Sequence, residues 1–192
     1  MRFQRLRDHY QREAMARRVQ QMGIVLLGAL LLGSVHGDPG LLIELDRAAF
    51  EISVRDLRDE AMGPRFRVAL GSPAHATPSG EFPLYWVLRS PEWKPGPDAR
   101  AAGATAEPAS NRGPLGVAKI PFAEGGSIAL HGGAHPRLLG KPISLGCVRA
   151  ADADLLALLA WFESRDALSL PRERANGERL QAFRRPARIR VR

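Results

Sequence analysis

Beyond residue 37 one stretch has the periodicity of a helix; every other apolar run is short and cut by proline or glycine. Leu41-Leu42-Ile43-Glu44-Leu45, Phe50-Glu51-Ile52-Ser53-Val54 and Phe66-Arg67-Val68-Ala69-Leu70 read as strands, the last two alternating apolar and polar residues at period two. Gly71-Ser72-Pro73 and Thr77-Pro78-Ser79-Gly80 carry turn chemistry, because proline presets φ and glycine accepts positive φ. Phe82 to Leu88, with Tyr85 and Trp86, is a further strand, and Ser127-Ile128-Ala129-Leu130-His131 a strand that ends on a histidine. Ala167-Leu168-Ser169-Leu170 is a weaker candidate; Pro186 to Arg192 alternates with its arginines on one face. The helix follows Asp152, a good N-cap, for about ten residues, with Leu155, Leu158, Leu159 and Phe162 on one apolar face. The predicted fold is therefore mainly β, a sandwich or partly open barrel with one helix. Residues 90–116, rich in Pro, Gly and Ala, form a long surface loop of the kind that shapes binding clefts, where Trp86 and Trp93 either line the cleft or pack as ordinary core and loop residues.

The first 37 residues differ from the body. Six arginines lead into the apolar run Met22 to Gly33, which falls short of the roughly 20 residues a bilayer span needs. It has the length of a signal-peptide core, and Val35-His36-Gly37 is a passable cleavage site. The expected organisation is an export segment over 1–37, cleaved or kept as a short inner-membrane anchor, and one domain over 38–192 placed in the periplasm or cell envelope. Membrane contact is expected through the leader alone. A body of about 150 residues buries a real core without disulfides, and Cys147 is the chain's single cysteine. The net charge is +8, and residues 172–192 alone hold eight arginines against two glutamates. Such a balance favours an acidic partner such as a wall polymer or anionic lipid; the simpler reading of the tail is a solvated strand face. Export, and the lack of aromatics among those arginines beyond Phe183, argue against nucleic acid.

Cys147 lies in Ser144-Leu145-Gly146-Cys147-Val148-Arg149, sixteen positions after His131 in Leu130-His131-Gly132-Gly133. A thiolate attacks where a thiol does not, and a histidine is the usual base, so the two are a candidate nucleophile and base. Gly146 lets the backbone turn tightly and would leave the Gly146 and Cys147 N–H groups free to meet an oxyanion. The alternative is a buried structural cysteine and an unrelated histidine. His131 and His135 are four apart, a helical metal spacing, but Gly132-Gly133 and Pro136 oppose a helix. No metal and no cofactor is expected, and His135 is expected to face solvent or the cleft.

The segment resembles the YkuD-type L,D-transpeptidase catalytic domain, whose signature is a His-Gly, a spacer, then Ser-x-Gly-Cys followed by an aliphatic residue and Arg or Asn. His131-Gly132 and Ser144 to Arg149 match it. Thr77-Pro78-Ser79-Gly80-Glu81-Phe82 and Pro114-Leu115-Gly116 are similar to two further segments of the family, and the likeness runs from about residue 40 to 192. The resemblance implies that Cys147 attacks a peptidoglycan stem peptide at the L-centre of its third residue, that D-alanine leaves, and that an amine resolves the thioester. It implies His131 as proton donor and acceptor, the Gly132 carbonyl as the group orienting its ring, and Arg149 and Ser144 as substrate-binding residues, Arg149 near a substrate carboxylate or else in a structural salt bridge, Ser144 supporting the loop or the histidine. It also implies peptidoglycan stems as partners. Leu145 replaces a second histidine common in the family, and Gly133 a frequent threonine. Two rivals stay open: the same site using water, as an L,D-carboxypeptidase or amidase, and a non-catalytic wall-binding module.

Overall fold

The computed structural model describes residues 38–192, so the leader and its expected export role lie outside the described residues. In chain order the strands are β1 (Leu41–Asp46), β2 (Glu51–Asp56), β3 (Ala61–Arg67), β4 (Leu70–Gly71), β5 (Gly80–Pro83), β6 (Trp86–Arg89), β7 (Ala118–Ala123), β8 (Ile128–His131), β9 (Pro142–Ser144), β10 (Val148–Arg149), β11 (Arg172–Glu173), β12 (Arg179–Ala182) and β13 (Ala187–Val191). Helix α1 (Pro97–Ala101) is a short turn of the loop between β6 and β7, and α2 (Asp152–Ser164) follows β10.

Two open sheets carry the fold. The first runs β3-β2-β1-β13-β5 and the second β10-β8-β7-β6-β12-β11; β4 and β9 form a small parallel pair. The hairpin from β1 to β2 turns where the Asp46 carboxylate accepts the Ala49 N–H at 2.9 Å and Phe50 takes a φ of 54°. Parallel pairing sets Leu41, Ile43 and Leu45 level with Ala187, Ile189 and Val191, so alternating residues of the first and last strands share the inner face. Between the sheets the core holds Ile43, Ile52, Val54 and Ile189 from one side and Val87, Ile120, Leu130 and Val148 from the other. All four predicted apolar residues of α2 are fully buried, and burying each such side chain stabilises by roughly 1.5–3 kcal/mol. Phe162 meets Phe183 edge-on with centroids 5.3 Å apart.

Four expectations change in detail. The run Phe66 to Leu70 is divided between β3 and β4. Phe82 to Leu88 is not one strand: the chain leaves the first sheet at Pro83 and enters the second at Trp86, crossing the sandwich at Leu84 and Tyr85. The helix is 13 residues long, capped by Ala151, because the Asp152 carboxylate is drawn to two loop amides described below. Ala167 to Leu170 forms no strand; Leu168 makes one bridge to Phe183, and Leu170 is 86% exposed.

Candidate active site

β8 runs between β7 and β10, so His131 at its end has a strand on each side. The antiparallel register sets Lys119 of β7 level with His131, and the parallel register sets Arg149 of β10 level with it from the other side. Residues level across a sheet share a face, so Lys119, His131 and Arg149 form one row. Their strand neighbours Ile120, Leu130 and Val148 point the opposite way, into the core. Continuing the parallel register by one residue sets Cys147 level with Ala129, on the same face as His131. Diagonal sheet neighbours of this kind stand about 7–8 Å apart, a gap that an aromatic ring can span.

Three local devices shape the turn before Cys147. Gly146 has a φ of +107°, and a Cβ there would stand 2.7 Å from Ile128 Cδ1, so only glycine fits without a shift. The buried Ser144 hydroxyl accepts the Gly146 N–H at 3.2 Å and donates to the Cys147 carbonyl at 2.5 Å. The buried Thr77 hydroxyl accepts the Gly71 N–H and donates to the Gly146 carbonyl, both at 2.9 Å. The threonine of the Thr-Pro-Ser-Gly turn thus fixes the peptide ahead of the thiol from 69 residues away. The Gly146 N–H, expected to be free for an oxyanion, is engaged by Ser144; the Cys147 N–H has no acceptor among the described residues. The Cys147 thiol is part-buried and donates to the Ser127 carbonyl at 3.5 Å.

His131 is 3% exposed, and its Nδ1 lies 2.7 Å from the Gly132 carbonyl. A carbonyl only accepts, so Nδ1 carries the proton and the neutral ring keeps its lone pair on Nε2.

Comparison with known proteins bears on this arrangement. The YkuD family, L,D-transpeptidase catalytic domain, matches residues 42–171. The chain belongs to that family. No curated protein sequence matches. Among solved structures, the catalytic domain of an Enterococcus faecium L,D-transpeptidase is 16% identical, with a TM-score of 0.51 over 81% of this chain and 98% of that one. A crystal structure of an Enterococcus faecium L,D-transpeptidase mutant is 15% identical, with a TM-score of 0.52 over 79% of this chain and 49% of that one. Mycobacterium tuberculosis L,D-transpeptidase 3 is 15% identical, with a TM-score of 0.50 over 80% and 61%. At these identities the likeness is one of fold. The chain covers 49–58% of the length of the first three solved chains matched.

Within this transpeptidase domain, burial dominates the electrostatics of the site. It pulls the His131 pKa down to about 4; the Gly132 hydrogen bond opposes the shift, and the charges of Arg149 and Lys119 add to it. Burial also pushes the Cys147 thiol up, against a backbone hydrogen bond from Ala129 and the charges of Lys119 and Arg149. The resting site therefore pairs a neutral thiol with a neutral imidazole.

Two residues at the site were not legible as site residues. Lys119 is placed by strand register alone. Asp152, expected only as a helix cap, accepts the Val117 N–H at 3.0 Å and the Gly133 N–H at 2.9 Å. It so ties the Pro114-Leu115-Gly116 segment to the turn after His131, and a Cβ on Gly132 would come within 2.0 Å of its oxygen. His135 sits apart as the exposed start of a short 3-10 turn, its Nδ1 accepting the Arg137 N–H at 3.2 Å. Leu145 is 48% exposed beside the thiol loop. Trp86 lies on β6, and Trp93 bridges to Glu107 across the long loop. Among the described residues no three His, Cys, Asp or Glu side chains cluster as a metal site, and no helix is long and apolar enough to cross a membrane.

Proposed function

We propose that residues 38–192 are the catalytic domain of an exported peptidoglycan L,D-transpeptidase with Cys147 as nucleophile. The observation that carries this reading is the register at the end of β8: Arg149, two residues after Cys147, stands level with His131, whose Nδ1 is held by the Gly132 carbonyl so that Nε2 is left to act as base. As Sγ attacks the carbonyl at the L-centre of the third stem residue, its proton passes to Nε2. The C–N bond to the terminal D-alanine then breaks, and the imidazolium returns the proton to the departing amine. A thioester on Cys147 remains. The amine of a second stem attacks it, gives its proton to Nε2, and expels the thiolate, which is reprotonated.

Starting from a neutral pair suits this sequence, since the proton moves only as the S–C bond forms. The Cys147 N–H, which has no protein acceptor among the described residues, meets the developing oxyanion. The Gly146 N–H joins only if Ser144 releases it. Ser144 and Thr77 act as positioning residues, holding the carbonyls of the two peptide groups that flank the Cys147 Cα. The leader, basic and then apolar, supports delivery to the cell envelope.

Intact-mass measurement after incubation with a carbapenem tests the nucleophile. Wild type gains the mass of one molecule and Cys147→Ala gains none; an unlabelled wild type, or a labelled Cys147→Ala, overturns the assignment. Muropeptide products then identify the acceptor: 3→3 cross-links for an amine, tripeptides alone for water.

A further inference from the structure

Among the described residues no carboxylate pairs with the Lys119 side chain. It is part-buried, level with His131, and makes no hydrogen bond or ion pair among the described residues. Arg149, on the far side of the same histidine, has a buried Nε without a hydrogen-bond partner and, among the described residues, no carboxylate within ion-pair distance. The charge Lys119 feels most is that of Cys147; Glu178 comes second, and both its oxygens are occupied. Oε1 accepts the Glu92 N–H at 3.0 Å and Oε2 pairs with Arg174 at 2.5 Å. Glu124, felt by the thiol, is bonded by the Ser127 hydroxyl at 3.3 Å. Strands stand about 4.8 Å apart, so the backbones bearing the two cations are about 10 Å apart with the imidazole between them. An uncompensated cation held out of water is costly until an anion such as a carboxylate meets it.

We propose that Lys119 joins Arg149, which the family resemblance already implies near a substrate carboxylate, in binding a free carboxylate of the donor stem peptide beside the His131–Cys147 pair, with Lys119 the specificity-determining residue. The assignment rests on the transpeptidase reading above and adds what the donor must carry. Burial lowers the hold of Lys119 on its proton, and an arriving carboxylate opposes that shift. Two carboxylates of the donor have the right chemistry: that of the terminal D-alanine and the free one on the third residue. Both are flat, two-oxygen acceptors that a guanidinium and an ammonium can share.

The test compares the rate of acyl-enzyme formation, by intact mass, for three tetrapeptide donors. One is unmodified, one is a C-terminal carboxamide, and one is amidated on the third residue. Wild type is expected to acylate about tenfold or more slowly with one of the two amides, which identifies the bound carboxylate. In Lys119→Gln the ratio of carboxylate to carboxamide collapses towards one; in Lys119→Arg most of it survives. Wild type that acylates all three donors equally keeps the transpeptidase reading and overturns the clamp, without need of a variant. Retention of the full ratio in Lys119→Gln overturns the role of Lys119. Failure of wild type to acylate with any donor, despite carbapenem labelling, overturns both readings.

Discussion

The C-terminal arginines and the two cations beside His131 are similar chemistry in opposite circumstances. Of the eight arginines in 172–192, six are ion-paired: Arg174 with Glu178, Arg184 with Asp166, Arg185 with Asp38 and Asp56, Arg188 and Arg190 with Glu81, and Arg192 with Glu44. Lys119 and Arg149 have no such partner among the described residues. Counting basic residues therefore misplaces the function. Most of the tail's charge is taken up within the fold, and the charge proposed to meet a ligand lies at the β10 end of the second sheet. The tail pairs also differ among themselves. Asp56 is completely buried and gathers Arg185, Arg58 and Arg165, so the end of β2, the end of α2 and the approach to β13 meet on one carboxylate. Glu81 and Glu44 pair at the surface.

The largest effect comes from breaking the paired side at Asp56. Asp56→Ala leaves Arg185, whose side chain is 9% exposed, and Arg165 each without one of two carboxylates, and removes the acid that Arg58 pairs with. Removing one member of a buried ionic cluster costs about 3–5 kcal/mol. Chemical denaturation at pH 7 should show a loss of that size; a loss under about 1 kcal/mol would mean the cluster is solvated and comparable to the surface pairs.

Acid separates the two regions on the pH axis. His131 titrates near 6.5 when exposed and at about 4 in the folded domain. Its folded pKa is depressed, so the unfolded chain takes up a proton first. The stability tied to the neutral ring is complete above pH 6.5 and is lost as pH falls towards 4, roughly 3 kcal/mol in all. The Asp56 carboxylate is also depressed, chiefly by Arg185, with smaller help from Arg58 and Arg165, but from an ordinary value of 3.8. Its contribution therefore holds through that window and is lost only below it. Denaturant midpoints at pH 7, 5.5 and 4 should fall steadily in wild type and stay nearly flat in His131→Gln. A flat wild-type profile would rule out a ring buried in its neutral form.

How much of this could be read from residues follows from how far each signal travels along the chain. The Ser144 to Arg149 run and His131 carry their chemistry in adjacent letters, and the helix face at Leu155, Leu158, Leu159 and Phe162 lies within two turns. The alternating tail gave β13 and the side its arginines take, but not their partners Glu81 and Glu44, which come from strands far earlier in the chain. Thr77 stood within a recognisable turn, yet its bond to Gly146 exists only once β4 and β9 pair. Lys119 had no motif at all; one residue of slip in β7 would send it into the core and Ile120 to the site. Periodicity likewise cannot see a chain that changes sheets, and this is why the single run Phe82 to Leu88 becomes β5 and β6.

The smallest effect should come from the surface half of the tail. Arg190 reaches Glu81 at 2.9 Å and Glu44 at 3.6 Å, with about a third of its side chain exposed and Glu81 more open still. Exposed pairs of this sort are typically worth under about 1 kcal/mol and fade with salt, because water and counterions serve each charge nearly as well. Its strand register is set by Ile189 and Val191 on the opposite face, which the substitution leaves alone. Arg190→Gln should therefore shift the denaturation midpoint slightly, the shift shrinking further at high salt, and leave the rate of carbapenem acylation of Cys147 unchanged. A strong loss of acylation would place a substrate contact on the outer face of β13. That result would undo the contrast between a tail whose charges serve the fold and a row of cations kept open for a ligand.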